Sequence, residues 1–543
     1  MGNRPGVQLV RLASFFLILS VLAVTRTAEL PSIVDEFGRP FPSAVERSRE
    51  QSAERRRGMM AKIDAAQTTD ENRKHWANAD SFSADAAYDN ATRFNLRNRG
   101  RYEGVNNGYA KASIRSSGED LIGTGPRLQL QFDGDEDGTR AKSVERPFAR
   151  WMEVTKFAKA LRIAEFSKNR DGGSFGIFDT NENQRHPVKL YVRWVEAEMC
   201  ASPFRKATDP FSSDGIKFDG NGLPVEYSFL VHHPGNTSAI GLSPLKTYTV
   251  PAEFVVHWYS QDRFGQHHGI PEITSALPLY SQLRRYTLAT LTAAEFAAML
   301  AGVMTSDAPA SEDNVTRVDN WEMFEMVRGA LLTLPAGHKA EQFESKNPST
   351  GYGEFKREVL NESGRSNSQP LNVVTGNSSG YNYSSGRLDH VPYHRHLRIQ
   401  RFDVKLEILD PVLYAYEREA RLTGTIGSDI PPIEEWQWCW NWDGFDSIDQ
   451  NKDASADNSR LGDGTSTYAE VLSEYGQDWR EVFEQRAREE SYAKKLGLTL
   501  AAAQQAPKAA PDPNDPEGDG AQPTNGHNRL NGQHRRNGSV HHG

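Results

Sequence analysis

The sequence predicts a mixed α+β fold built around one long helix that is apolar on more than one side. Three strand-like runs, Val188–Val195, Glu226–His232 and Phe254–Trp258, are separated by clusters of Gly, Pro, Asn and Asp. Apolar residues recur at helical spacing through Phe148–Asn169, and a longer run without glycine extends over Pro278–Ala301. Strands and long helices in one chain, without regular βαβ alternation, indicate the α+β class.

The first globular part combines two helical stretches with those three strands. A stretch rich in Arg and Asn, Ala91–Gly118, is partly helical and broken by glycines. In Phe148–Asn169 the spacing predicts a single helix, with Trp151, Val154 and Leu161 among the apolar positions on its buried face.

The long helix Pro278–Ala301 starts with a proline, which suits a first helical turn. Its apolar residues are spread over several sides, and alanine fills much of the rest. A helix of that kind is buried among neighbours, and other subunits are able to supply them.

The second half of the chain is predicted to be mostly helical. The segments, in order, are a mixed stretch (Met304–Phe343), a loop and helix (Pro348–Leu360), a Gly/Ser/Asn-rich stretch (Gly376–Gly386), a helical region interrupted by proline (Leu388–Arg421), an aromatic strand or turn (Trp436–Trp442) and a last helix (Ser466–Gly497). Residues 501–543 are rich in Pro, Asn, Gly and His, which is typical of a disordered tail.

Residues 1–58 read as an N-terminal extension, helical over Ala44–Lys62. Two arginines precede an uncharged apolar run, Leu12–Thr25, and small residues follow it up to Ala28, as in a secretory signal. Alternatively the reading frame starts too early, and Met59 or Met60 is the true first residue. We favour the over-extended start, because nothing after this segment looks exported.

Charge and cysteine content limit the class of protein. The net charge of −9 argues against a protein that grips nucleic acid over its whole surface, but it is compatible with a conduit in which DNA slides. The two cysteines, Cys200 and Cys439, form no metal-type or redox motif. We expect both to be small core residues of a protein folded in a reducing compartment.

No motif indicates catalysis, a cofactor or a metal. His267-His268 and the group Asp389, His390, His394 and His396 have ligand-type side chains, but Pro392 is expected to break the helical spacing between His390 and His394. Gly123-Thr124-Gly125 lacks the Lys-Ser/Thr of a phosphate loop, and the acidic run Asp133–Asp137 has the character of a solvated loop. We therefore assign no catalytic, cofactor-binding or metal-binding residues.

Several distinctive strings occur in a fixed order along the chain. They are DAAQTTD (64–70), HWANAD (75–80), LRNR (96–99), NGYA (107–110), IGTGPRLQ (122–129), GLPV (222–225), PAE (251–253), DRFGQ with GIP (262–266 and 269–271), PST (348–350), NYSS (382–385), GTST (464–467) and YGQDW (475–479). This ordered set, which covers about residues 64–500, resembles the lambda-type portal proteins of tailed bacteriophages and prophages, and it is more specific than any one string.

This resemblance implies a subunit of a homo-oligomeric ring, typically of about twelve copies, at one vertex of the phage head. Such a ring nucleates assembly with capsid and scaffold proteins, docks the terminase large subunit and a head–tail adaptor, and conducts double-stranded DNA. Its location would be the virion, or the host cytoplasm during assembly, without stable membrane association. The implied parts are a wing (59–272), a stem and clip (273–365), and a return through the wing with a channel helix and a helical crown (366–500).

Candidate DNA contacts are the arginines near the channel helix, Arg387, Arg395, Arg398 and Arg401, which are equally compatible with ordinary surface positions.

Two stretches depart from the family pattern. Asn361–Pro370 is unusually polar, and Pro392 stands where the family helix runs on. Two rival hypotheses are an exported cell-surface protein or hydrolase, favoured by the signal-like segment, and another virion component such as a scaffold or capsid protein.

Overall fold

A computed structural model describes residues 73–202, 211–236, 246–299, 303–306, 338–341, 351–445 and 450–498. The whole N-terminal extension (1–58) with the predicted helix Ala44–Lys62, the motif at 64–70, most of 304–350 and the C-terminal tail lie outside these ranges. The chain divides into two units, 1–82 and 83–543. In the described part of the first unit, residues 73–78 form a turn in which the Ala79 N–H donates to the carbonyl of Trp76 (3.1 Å).

The second unit begins with helices. They are α1 (Ala84–Ala87), α2 (Asn90–Asn106), α3 (Gly108–Ile122) and, after strand β1 (Arg127–Gln131), α4 (Thr139–Thr155) and α5 (Phe157–Asp171). Asn107 ends α2 and caps α3, because its side-chain oxygen accepts from the N–H groups of Tyr109 and Ala110.

The single helix predicted over Phe148–Asn169 is wrong: the structure has two helices there. Lys156 has a left-handed backbone conformation (φ 55°), which interrupts the ladder between α4 and α5. The second helix ends at Gly172 (φ 95°), where a Cβ atom would lie 2.7 Å from the carbonyl oxygen of Gly269.

Two antiparallel sheets follow. The strands are β2 (Ser174–Thr180), β3 (Leu190–Glu196), β4 (Ser212–Ser213), β5 (Ile216–Phe218), β6 (Pro224–Leu230), β7 (Thr247–Pro251) and β8 (Val255–Trp258). One sheet has the order β3-β2-β8 and the other β4-β5-β6-β7. Three of these strands correspond to the predicted runs, so the mixed α+β class is confirmed.

A short 3₁₀ turn, Glu272–Ala276, leads into the long helix α6 (Leu277–Met299), close to the predicted bounds. Strands β9 (Val303–Ser306) and β10 (His338–Glu341) pair antiparallel. Helix α7 (Tyr352–Gly364) ends inside the polar stretch 361–370, and the short helix α8 (Leu371–Thr375) follows a 3₁₀ turn.

The next segment is one helical element in three parts. Helix α9 (Tyr383–Val404) continues through a π-helical turn (Lys405–Leu409) into α10 (Asp410–Leu422).

Strand β11 (Gln437–Asn441) then pairs antiparallel with β1, more than 300 residues earlier. In place of the single predicted helix Ser466–Gly497 there are α12 (Tyr468–Glu474) and α13 (Trp479–Lys495), after α11 (Gln450–Gly462). Thr467 and Asp478 each cap a new helix start, which explains the break.

The main core joins the two halves of the described chain. Phe148 and Trp151 of α4 pack against Tyr416 of α10, with ring centroids 4.9 and 5.5 Å apart. Trp440 of β11 lies 5.8 Å from Phe148 in the same cluster. The indole N–H of Trp151 donates to the carbonyl of Leu190 (2.8 Å), so this ring is both fully buried and hydrogen-bonded.

The aromatic stretch is strand and turn, as expected, but one of the cysteine predictions is wrong. Cys200 is buried, whereas Cys439 is exposed. Side chains alternate along β11, so Trp438 and Trp440 turn toward Asp410, which accepts from both indole N–H groups (2.9 and 3.0 Å), and Cys439 lies on the opposite face.

No helix within the described ranges is long and apolar enough to cross a membrane.

We expect Trp151→Ala to lower the free energy of unfolding by about 3–5 kcal/mol, because it empties the centre of the core. A fall in the apparent melting temperature of the full chain would report it. Leu422→Ala is the matched control, since that side chain is 83% exposed and its truncation should leave the melting temperature nearly unchanged. Equal shifts for the two variants would contradict this packing.

Candidate nucleic-acid interface

All four arginines proposed from the sequence lie on helix α9. The helix begins at a capping box, in which the side chain of Asn382 accepts from the N–H of Ser385 and the Ser385 hydroxyl accepts from the N–H of Asn382. Arg387, Arg395 and Arg398 are exposed, whereas Arg401 is half-buried.

Arg401 is engaged within the chain. Its Nε atom donates to the carbonyl of Leu121 (3.0 Å) and its Nη2 atom to that of Asp120 (3.1 Å), at the C-terminal end of α3. The guanidinium also lies over the rings of Phe445 (4.8 Å) and Trp442 (5.4 Å). Burial lowers the pKa of Arg401 to about 10, against the opposing effect of nearby carboxylates. The residue holds α9 onto α3.

The exposed side of α9 carries two adjacent sets of side chains. At about 100° per residue, Arg387 and Arg398 lie about 20° apart on the helix surface. Leu388, Ile399 and Phe402 occupy the neighbouring arc, about 60° wide, with Arg395 in its middle. We call Arg387 and Arg398 the basic edge, and the other four residues the apolar band.

The inner side of α9 is fixed by polar contacts that sequence reasoning missed. The Tyr393 hydroxyl donates to Asp120 Oδ2 (2.7 Å), and burial, followed by that carboxylate, raises the pKa of Tyr393. Lys168 of α5, almost fully buried, donates to Gln400 and lies 4.5 Å from the ring centroid of Trp258. A lysine in a helical pattern is normally solvated, so the sequence holds no signal for this position.

The histidine group on α9 differs from expectation in one respect. Pro392 does not break the helix: α9 runs through it, and the His390 and His394 rings are 5.5 Å apart. Pro392 is exposed, so water can reach the Leu388 carbonyl, which loses its helical donor. His390 bonds Asn372 (2.9 Å), and His394 stacks on Phe445 (3.9 Å). Asp389, His390, His394 and His396 do not bring three ligand atoms together.

The other sequence candidates are also separated. His267 pairs with Asp85 (Nδ1 to Oδ2, 2.7 Å), whereas the Nε2 atom of buried His268 lies 3.3 Å from the carbonyl oxygen of Ser213. Burial lowers the pKa of His268 well below its ordinary value.

Within the described residues, Glu196, Glu198 and His233 are the group whose ligand atoms come close enough for a metal ion. The guanidinium of Arg101 already bonds both carboxylates, at 3.1 Å from Glu196 and 2.8 Å from Glu198. Since a cation occupies the position between these oxygens, the arrangement is an ion-pair network.

A family model and a curated relative both describe portal proteins. The profile of the family described as "Phage portal protein, lambda family" matches residues 70–401. A curated "Probable portal protein" of Halomonas phage phiHAP-1 is 23% identical over 429 residues, covering 74% of this chain and 81% of that protein. Among solved structures, a chain from "Virion of native gene transfer agent (GTA) particle" aligns with TM-score 0.36 and 12% identity, over 75% of this chain and 94% of that one. A chain from "Neck of native GTA particle computed with C12 symmetry" gives the same values.

We expect His394 to make the stability of the protein depend on pH. Burial, then the positive charges of His390, Arg398 and Arg401, lowers the pKa of His394 to about 4. As the pH falls, His394 is therefore protonated in the unfolded chain before it is protonated in the folded protein. The stability that neutral His394 contributes above about pH 6.5 is lost as the pH falls towards about 4. His394→Phe keeps a ring on Phe445 without the titration. Its melting temperature should fall less than that of the parent protein over this range, and parallel profiles would refute the assignment.

Proposed function

The chain belongs to the lambda family of phage portal proteins, and on that premise we propose that it forms the ring at one vertex of a phage or prophage head through which double-stranded DNA passes. The observation that carries the proposal is the family match, which spans residues 70–401 and so includes most of α9. It favours a portal over both rivals, the exported hydrolase and the scaffold or capsid protein.

We propose the following organisation for the ring. The wing comprises 59–272, the stem and clip 273–365, and the return with channel helix and crown 366–500, followed by the tail 501–543. The ring contains about twelve copies and docks a terminase large subunit at one end and a head–tail adaptor at the other. Helix α6 supports the stem assignment, since Leu288 and Leu291 are exposed on it and need neighbours.

Within this ring the basic edge of α9 is the proposed contact with DNA. Arg387 and Arg398 are exposed, lie on one side of the helix and project from an element that Arg401 and Tyr393 hold onto α3. A few phosphate contacts from each subunit, on a chain of net charge −9, suit DNA that is guided without being bound tightly. Arg401 has a different role, because its guanidinium is used inside the chain.

The ring is tested by the native mass of the full-length chain. Twelve copies of 60.7 kDa give about 730 kDa, and mass photometry with negative-stain imaging should show that mass and a central hole. A stable monomer that is secreted and trimmed near Ala28 would overturn the proposal in favour of the exported protein.

The basic edge is tested by salt-dependent binding of the ring to a short DNA duplex. Arg387→Gln combined with Arg398→Gln should weaken binding for all sequences and reduce the slope of log Kd against log salt concentration, because fewer counterions are released. The control is Arg150→Gln, an exposed arginine of α4 that pairs with Glu153. A slope that is unchanged in the double variant, or lowered equally in the control, would contradict the DNA contact.

A further inference from the structure

We propose that the apolar band of α9 binds the next copy of this chain in the ring, through an acidic surface on the neighbour's helix α7. This inference rests on the proposed ring and identifies its subunit contact. One helix would then serve two purposes, with its basic edge turned to DNA and its apolar band turned to the adjacent subunit.

The band is too apolar to be an ordinary solvated surface. Leu388 is 70% exposed, and Ile399 and Phe402 are each 56% exposed. Leu406, in the π-helical turn that follows, extends the row and is 49% exposed. Single exposed apolar residues are normal, but a row formed by the three apolar residues of the band together with Leu406 marks an interaction surface.

DNA is a poor occupant for this band. Phosphate contacts require cationic or hydrogen-bonding side chains, and leucine, isoleucine and phenylalanine offer neither. Arg395 stands alone among them, so the band needs a partner that supplies apolar groups and a carboxylate. The basic edge, about 80° away around the helix, meets the different requirement of DNA.

An acidic ridge on α7 offers the carboxylates and the apolar group that the apolar band of α9 requires. Glu354, Glu358 and Glu362 follow one another at intervals of four residues, and all three are exposed. Phe355 lies beside them on the same side of the helix, 52% exposed, with its ring packed edge-on against Tyr286 at 5.1 Å. These four residues fall within an arc of about 100°. Within α7 this arc contains no basic side chain, and Arg365, the exposed C-cap residue, follows Glu362 at the end of the same side.

A competing ridge on α2 fits less well. It exposes Phe94, Tyr102 and Val105, but the exposed charged residue on that helix is Arg99, and the buried Glu103 is already paired with Arg284 at 3.0 Å. Arg395 would meet a like charge there, whereas on α7 it meets carboxylates. Charge complementarity therefore selects the α7 ridge.

Band and ridge belong to different surfaces of the same chain, so the contact between copies is head-to-tail. A contact of that type closes into a ring when the rotation between copies allows it, whereas a contact between two identical surfaces would stop at a dimer. The band lies next to the basic edge, as expected for a helix at the inner rim of a subunit whose flank meets its neighbour.

Chemical cross-linking tests the contact directly. In a Cys439→Ser background, which removes the exposed native thiol, Phe402→Cys and Phe355→Cys are prepared as single variants and as one double variant, and treated with a short bismaleimide after ring assembly. Each single variant alone should give no linked product, their equal mixture should give dimers, and the double variant should give a ladder of multimers. Leu422→Cys mixed with Phe355→Cys is the control and should stay unlinked.

Two results would overturn the inference. Rings that form normally while the double variant gives no ladder would exclude the α7 contact and leave the portal proposal intact. Dimers from Phe402→Cys alone would show an identical-surface contact. Failure to form rings in the Cys439→Ser parent and in the unaltered chain would instead count against the ring itself.

Charge exchange provides an independent readout. Arg395→Glu should raise the protein concentration needed for half-maximal ring formation by roughly tenfold, because it places a fourth carboxylate against the ridge. Adding Glu358→Arg should recover most of the loss, and Glu358→Arg alone should weaken assembly. A double variant no better than Arg395→Glu would contradict the pairing.

Discussion

The aromatic core shared by α4, α10 and β11 is the constraint on which the rest of the described structure depends. Phe148 and Trp151 are contributed early in the sequence, and Tyr416 and Trp440 nearly 300 residues later. Because neither set can bury its rings without the other, the chain has to return over the same surface. That return aligns α9 with α3, where Tyr393 and Arg401 attach it, and so decides which side of α9 remains exposed.

Hydrophobic periodicity alone was enough to locate the helices and strands whose apolar pattern is long and regular. Helix α6 and strands β3, β6 and β8 lie close to their predicted positions, because their patterns extend over several residues. The breaks were not predictable in the same way. Nothing in the composition marks Lys156 as left-handed, whereas the break between α12 and α13 had a usable signal in Gly476 and the caps at Thr467 and Asp478. Pro392 shows the opposite error, since an exposed proline in a long helix need not end it.

The candidate site was located by sequence but could not be resolved into roles. The sequence gives no reason to assign different roles to the four arginines of α9. The tertiary structure does, because Arg401 donates to carbonyl groups of α3 whereas the other three are exposed. The buried amine of Lys168 illustrates the same limit. Its ion-pair partner Glu165 is one helical turn away, but Gln400 and Trp258, which enclose the amine, are distant in sequence. The apolar band is visible only once burial has been assigned, since its spacing resembles that of a core-facing stripe.

The π-helical turn at Lys405–Leu409 sets the rotational register between α9 and α10 within one continuous element. In α9 the outward side holds arginines and aliphatic groups, whereas in α10 Val412, Leu413 and Tyr416 are completely enclosed. Removing one residue from the turn would swing the downstream half by about 100° and pull Tyr416 out of register with Phe148. Substitutions on the outward side of α9 leave this register unchanged, whereas the number of residues between Arg401 and Tyr416 is fixed. Insertions and deletions should therefore be absent from this interval even in divergent relatives.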